Sequence, residues 1–218
     1  MFKPILYQAA LFFSSDFQLK PLILAGKIAE KLSSIFTVEP STVNYPPNLP
    51  VPLEVPRIIL QGDPNGQLTV SPVRADIIFN SQTNPDIEQA LSQYISDFAD
   101  CFESVQIIRL GFVLQFNLIG KNILSAVRDR YISPGKMNGS TELYVGWINK
   151  LQVSDIQSNR LINFTCNSVP LPDGSGSLIV DTNTIPEITL DLKSKEIKKY
   201  VDECFQQYRG NISDFIEW

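Results

Sequence analysis

The stretch Val105–Leu118, VQIIRLGFVLQFNL, decides the fold class. Ile108, Leu110, Phe112, Leu114, Phe116 and Leu118 recur at every second position, with Arg109, Gly111, Gln115 and Asn117 between them. A period of two sends the two sets to opposite sides of a β-strand, one apolar and one polar. Arg109, Gln115 and Asn117 also interrupt the run too often for a membrane-spanning helix. A bulge, if one occurs, is expected at Gly111.

Upstream, Asn84-Pro85 opens a helix whose stripe is Ile87, Leu91, Tyr94, Ile95, Phe98 and Phe102, with Glu88, Asp97, Asp100 and Glu103 on its other side. Three short strands precede it. Arg57–Gln61 and Gln67–Ser71 form a hairpin around Gly62-Asp63-Pro64-Asn65-Gly66, and Val73–Phe79 follows. The connection over 37–56 holds six of the fifteen prolines and reads as extended chain crossing the surface. Before it come a helix from Lys20, with Pro21 in the first turn and Leu22, Ala25, Ile28, Ala29, Leu32, Ile35 and Phe36 on its apolar side, and a first strand, Ile5–Ser14.

Downstream the order repeats. A helix is expected around Lys121–Ile132, then turn residues Ser133–Gly139, then strands at Glu142–Ser154, Arg160–Ser168 and Ser177–Asn183, the last two joined by Pro170–Gly176. A final helix from about Leu192, capped by Asp191, carries Ile197, Tyr200, Val201, Cys204, Phe205 and Tyr208. The reading is α+β: two βαβββα halves, 1–104 and 105–218, within a single compact domain of residues 1–218. About eight mostly antiparallel strands form the sheet, with four helices packed on one face. The halves share a pattern, not visible residue identity.

Composition excludes more than it assigns. The 218 residues bear a net charge of −5, which gives no global basic field for nucleic acid. Three odd, widely spaced cysteines, Cys101, Cys166 and Cys204, read as buried free thiols in a reducing compartment, so a soluble cytoplasmic protein is expected. The apolar segment Ile5–Phe13 alternates as a strand and lacks a small-x-small cleavage site, so it is not read as a signal peptide. On that reading the N-x-S/T sequons at Asn138, Asn163 and Asn211 carry no meaning. The chain contains no histidine, which removes Ser-His-Asp and Cys-His nucleophile systems and histidine metal sites. No phosphate-cradling glycine motif occurs, and Gly174-Ser175-Gly176 reads as a hairpin turn.

Carboxylates are what remain for chemistry. Asp97, Asp100 and Glu103 on one helix flank could hold a hard cation, but a solvated helix flank is the favoured explanation. Arg74 and Asp76 share one strand face and can pair with each other. The non-core faces together collect Arg57, Gln61, Gln67, Thr69, Arg74, Asp76, Arg109, Gln115, Asn117, Asn163, Thr165 and Asn167. Such a surface suits hydrogen-bonded recognition, and its few aromatics argue against base stacking.

The strand Ile5–Phe13, the motif Arg109-Leu110-Gly111-Phe112 and the C-terminal Phe215 and Trp218 resemble a sporadically distributed family of uncharacterised prokaryotic proteins. That resemblance implies no assigned activity. No catalytic, cofactor-binding or metal-binding residue is therefore assigned, and no cofactor is expected. The expected function is non-enzymatic binding of a protein or small molecule, on the polar sheet face or in a cleft between the halves, with a homo-oligomer open and no membrane partner. The alternative is a carboxylate-dependent, metal-assisted enzyme.

Overall fold

The computed structural model describes residues 4–15, 17–46, 48–83, 86–102, 105–119, 142–167, 175–185 and 190–211. The first segment of chain gives β1 (Leu6–Phe13), α1 (Pro21–Lys31), β2 (Ser41–Thr42), β3 (Ile58–Asp63), β4 (Gly66–Val70), β5 (Arg74–Asn80) and α2 (Ile87–Asp100). The second gives β6 (Ile107–Ile119), β7 (Glu142–Val153), β8 (Ile156–Asn167), β9 (Ser175–Thr184) and α3 (Ser194–Asn211). The expected helix over 121–132 and the turn at 133–139 lie outside the described residues.

All nine strands join one antiparallel sheet in the order β2-β3-β4-β5-β1-β6-β9-β8-β7. The strand beyond the expected eight is β2, two residues of the proline-rich connection that pair with β3 at Ser41↔Ile59 and Thr42↔Ile58. From the centre outward the order is β1, β5, β4, β3 on one side and β6, β9, β8, β7 on the other. Each first strand thus lies beside the last strand of its own half. The agreement is one of arrangement and does not establish a duplication.

The described helices lie on one face, against an inward set of strand residues that is mainly apolar. Phe36, following α1, stacks on Phe79 at 6.0 Å, and Phe98 of α2 meets Phe102, which in turn reaches Phe13. Phe205 of α3 lies 5.7 Å from Tyr7 and 5.2 Å from Phe112, and Tyr208 stacks on Phe116. These rings belong to one continuous buried cluster. Among the described residues no helix is long and apolar enough to cross a membrane.

Three local details differ from the sequence reading. The bulge falls opposite the end of β1, where Phe12 pairs with Arg109 but Phe13 pairs with Ile107. Ile107 therefore takes the core position, and Ile108 is only half-buried. Pairing at Gly111 is regular, with Ala10 on one side and Asn183 on the other. Second, β7 and β8 meet in a two-residue turn, Ser154-Asp155, with φ of 50° and 64°. Both residues are left-handed, as a type I′ hairpin requires, although neither is glycine. Glu203 of α3 supports the turn by accepting hydrogen bonds from the Ser154 N–H and hydroxyl at 2.7 and 2.9 Å. Third, α3 begins at Ser194, and Glu196 reaches back to accept from the Lys193 N–H at 3.1 Å. This is half of a capping box. Asp191 pairs with Lys193 instead of capping.

The β3–β4 hairpin is tied to the exit of α1. Asp63 Oδ2 accepts from the Thr37 N–H at 2.6 Å, the Thr37 hydroxyl at 2.8 Å and the Val38 N–H at 3.0 Å. Oδ1 accepts from the Asn65 N–H at 2.9 Å, and the Asn65 amide donates to the Ile35 carbonyl. Burial opposes the charge on Asp63, but these bonds prevail and hold its carboxyl below the ordinary carboxylate range.

Candidate functional site

The sheet face that carries no described helix is organised around its central strand. Phe12 of β1 lies between Arg74 of β5 and Arg109 of β6, its direct register partners. Both guanidiniums lie over the ring, at 4.9 and 4.8 Å from its centroid. The geometry is a doubled cation–π contact, which holds two long side chains in place on the surface. Arg74 is further fixed by Asp76 at 2.6 Å, and Asp76 also accepts from the Gln8 amide at 2.8 Å.

One register step along, Ala10 and Gly111 sit side by side and leave the centre of the face low. The Asn183 side chain fills part of that space. A Cβ on Gly111 would lie 2.5 Å from Asn183 Oδ1, so glycine permits this close approach. Asn183 donates to Asp181 at 2.5 Å. Burial raises the Asp181 carboxyl above its ordinary value, opposed by the Asn183 hydrogen bond and by the charges of Arg109 and Arg74.

Four buried side-chain atoms among the described residues have no hydrogen-bond partner: Arg57 Nη1, Arg109 Nε, Asn159 Oδ1 and Ser177 Oγ. All four residues have the strand parity of the helix-free face. Arg109 and Ser177 alternate with the core residues Leu110 and Leu178, Asn159 with Ser158 and Arg160, and Arg57 precedes Ile58. A buried polar atom without a partner costs on the order of 1–3 kcal/mol, so four on one face is a marked concentration.

The core face holds a second polar group, beneath α3. Arg160 is 7% exposed; its Nε donates to Thr182 Oγ1 at 3.1 Å and its Nη2 to Gln207 Oε1 at 3.0 Å. Ser158 and Tyr200 share a hydrogen bond of 3.0 Å. Burial lowers the Arg160 pKa, raises that of Tyr200, and pushes the Cys204 thiol up to about 12. Neither Tyr200 nor Cys204 is ionised near neutrality, so this group supplies no nucleophile or base.

The sequence-derived candidates divide accordingly. Arg74, Asp76 and Arg109 are brought together, and Gln67, Thr69, Gln115, Asn117, Asn163 and Thr165 share their face. The Asn167 side chain is not among those described. Asp97 accepts from Gln93 at 2.8 Å, Asp100 lies 3.8 Å from Lys31, and Glu103 is outside the described residues. Among the described residues no cluster of three Cys, Asp or Glu side chains is placed to hold a metal ion. The first and second halves join by direct β1–β6 pairing and by packing of α2 on α3. Phe12, Asp181 and Asn183 escaped the sequence reading. The strand alternation that marks Ala9, Leu11 and Leu178 as inward places all three outward. Comparison with models of known protein families and with curated protein sequences finds no match for this chain. The residues of the family resemblance fall in β1 and β6, while Phe215 and Trp218 lie outside the described residues.

Proposed function

We propose that this protein is a binding protein that engages its partner on the helix-free sheet face, around the Arg74–Phe12–Arg109 row. The observation that carries this reading is the pair of guanidiniums, Arg74 and Arg109, held over Phe12 on that face. Guanidinium nitrogens can only donate, and the Arg74 side chain is exposed while Arg109 is half-buried. A partner offering carboxylate or phosphate oxygens would satisfy them, whether a small molecule or an acidic protein segment. Phe12 holds Arg109 in place, so little side-chain freedom is lost on binding.

A thermal-shift screen against acidic metabolites and nucleotides tests this, because a ligand that binds only the folded chain raises its midpoint. Arg109→Ala is expected to abolish the shift while leaving the unligated midpoint nearly unchanged. A ligand shift that survives Arg109→Ala would remove Arg109 from the site. A collapse of the unligated midpoint would make this arginine a structural group instead.

The alternative of carboxylate chemistry draws its support from Asp181, whose carboxyl burial raises against the opposing charge of Arg109. A turnover abolished by Asp181→Asn, with binding retained, would favour it.

A further inference from the structure

The two borders of the sheet differ. At one border β2, from the proline-rich connection, covers the end of β3. At the other lies β7, twelve residues long and paired without a register shift to β8 from Glu142↔Asn167 to Val153↔Ile156. Among the described residues nothing pairs with its outer side. It contains no proline and no bulge, two of the devices that blunt exposed edges, and Tyr144 and Ile148 are each 65% exposed.

We propose that β7 is a homodimer interface, pairing antiparallel with β7 of a second copy about a two-fold axis through Gly146. The strand is self-complementary about that residue. Antiparallel pairing with Gly146 opposite its own copy sets Tyr144 opposite Ile148 and Glu142 opposite Lys150, each twice. On the inner face the same register places half-buried Val145 opposite half-buried Trp147, and Leu143 opposite Asn149. Aromatic–β-branched and opposite-charge pairs are those that stabilise neighbouring strands. No other register that keeps like faces together sets Glu142 against Lys150. The contact is isologous, so it closes at two copies and joins two nine-stranded sheets into one.

Sedimentation equilibrium of the full chain over about 1–100 μM is the test, and the expected state is a dimer in the micromolar range or tighter. Lys150→Glu puts like charges opposite each other at two points and is expected to weaken the dimer by about tenfold or more. The double variant Glu142→Lys/Lys150→Glu exchanges the charges and is expected to restore it. Ile148→Lys, a second disruption independent of that charge pair, is expected to give monomer with an unchanged far-UV circular dichroism spectrum. A wild-type monomer throughout the range overturns the proposal, as does Lys150→Glu dimerising as tightly as wild type, or a double variant no tighter than Lys150→Glu alone.

Discussion

Asp63 anchors the β3–β4 hairpin to the end of α1, and removing its carboxylate gives a prediction with a defined pH signature. Asp63→Ala deletes four hydrogen bonds to a buried, charged acceptor. Bonds to charged groups contribute about 1.5–3 kcal/mol each in isolation, but they are not additive here. Thr37 and Val38 are exposed, so their freed N–H groups can turn to water and recover part of the loss. A net destabilisation of about 3 kcal/mol is expected for Asp63→Ala, and about half that for Asp63→Asn, which keeps one acceptor oxygen. The folded pKa is depressed, so the stabilisation is complete above the unfolded value of about 3.9 and is lost as pH falls through the folded pKa. Urea unfolding of wild type and both variants at pH 7, then stepwise into acid, should show the gap closing only below about pH 4. An Asp63→Ala loss under about 0.5 kcal/mol at pH 7, or a gap constant through the acid limb, would refute the assignment.

Phe112→Ala should cost about 3–5 kcal/mol in chemical denaturation, because the ring is buried against Phe205, whereas Gln115→Ala should stay within about 0.5 kcal/mol of wild type. Burial pushes the Cys101 and Cys204 thiols each up to about 12, so both should resist a thiol reagent in the native state and react on unfolding. Rapid labelling of either in mass spectrometry would place it outside the core. Gly111→Ala should destabilise by about 1–3 kcal/mol through its collision with Asn183, and Asn183→Ala in the same chain should recover most of the loss. Additive losses would show that the two residues do not compete for space.

The α+β class, the antiparallel sheet and the helix-covered face were legible because they rest on local periodicity. Leu110, Phe112, Leu114 and Phe116 stand where alternation puts them. Ile108 does not, because the bulge arises from fitting β1 against β6, which no single strand encodes. The same holds for the Ser154-Asp155 turn, whose support comes from Glu203 on a distant helix. Arg160 was open to detection, since Ile162 and Phe164 fix the inward parity of β8 and carry Ser158 and Arg160 inside with them. Arg74, Asp76 and Arg109 could be grouped on one face from the sequence. The order β5-β1-β6, which puts Phe12 between the arginines, could not, because it joins residues about sixty and one hundred positions apart.

That strand order also sets a schedule for folding. The first strand synthesised ends at the middle of the sheet, gaining β5 as one neighbour and β6, much later, as the other. A ribosome that has delivered the chain only as far as residue 102 has made everything on one side of the seam. The backbone of β1 meanwhile keeps its other row of donors and acceptors open. Such an edge, eight residues long and hydrophobic at every position but Gln8, invites pairing with any neighbouring chain. The isolated segment 1–102 is therefore expected to scatter more light than the whole chain at equal concentration. Synthesis of Ile107–Gln115 is the moment at which that hazard ends.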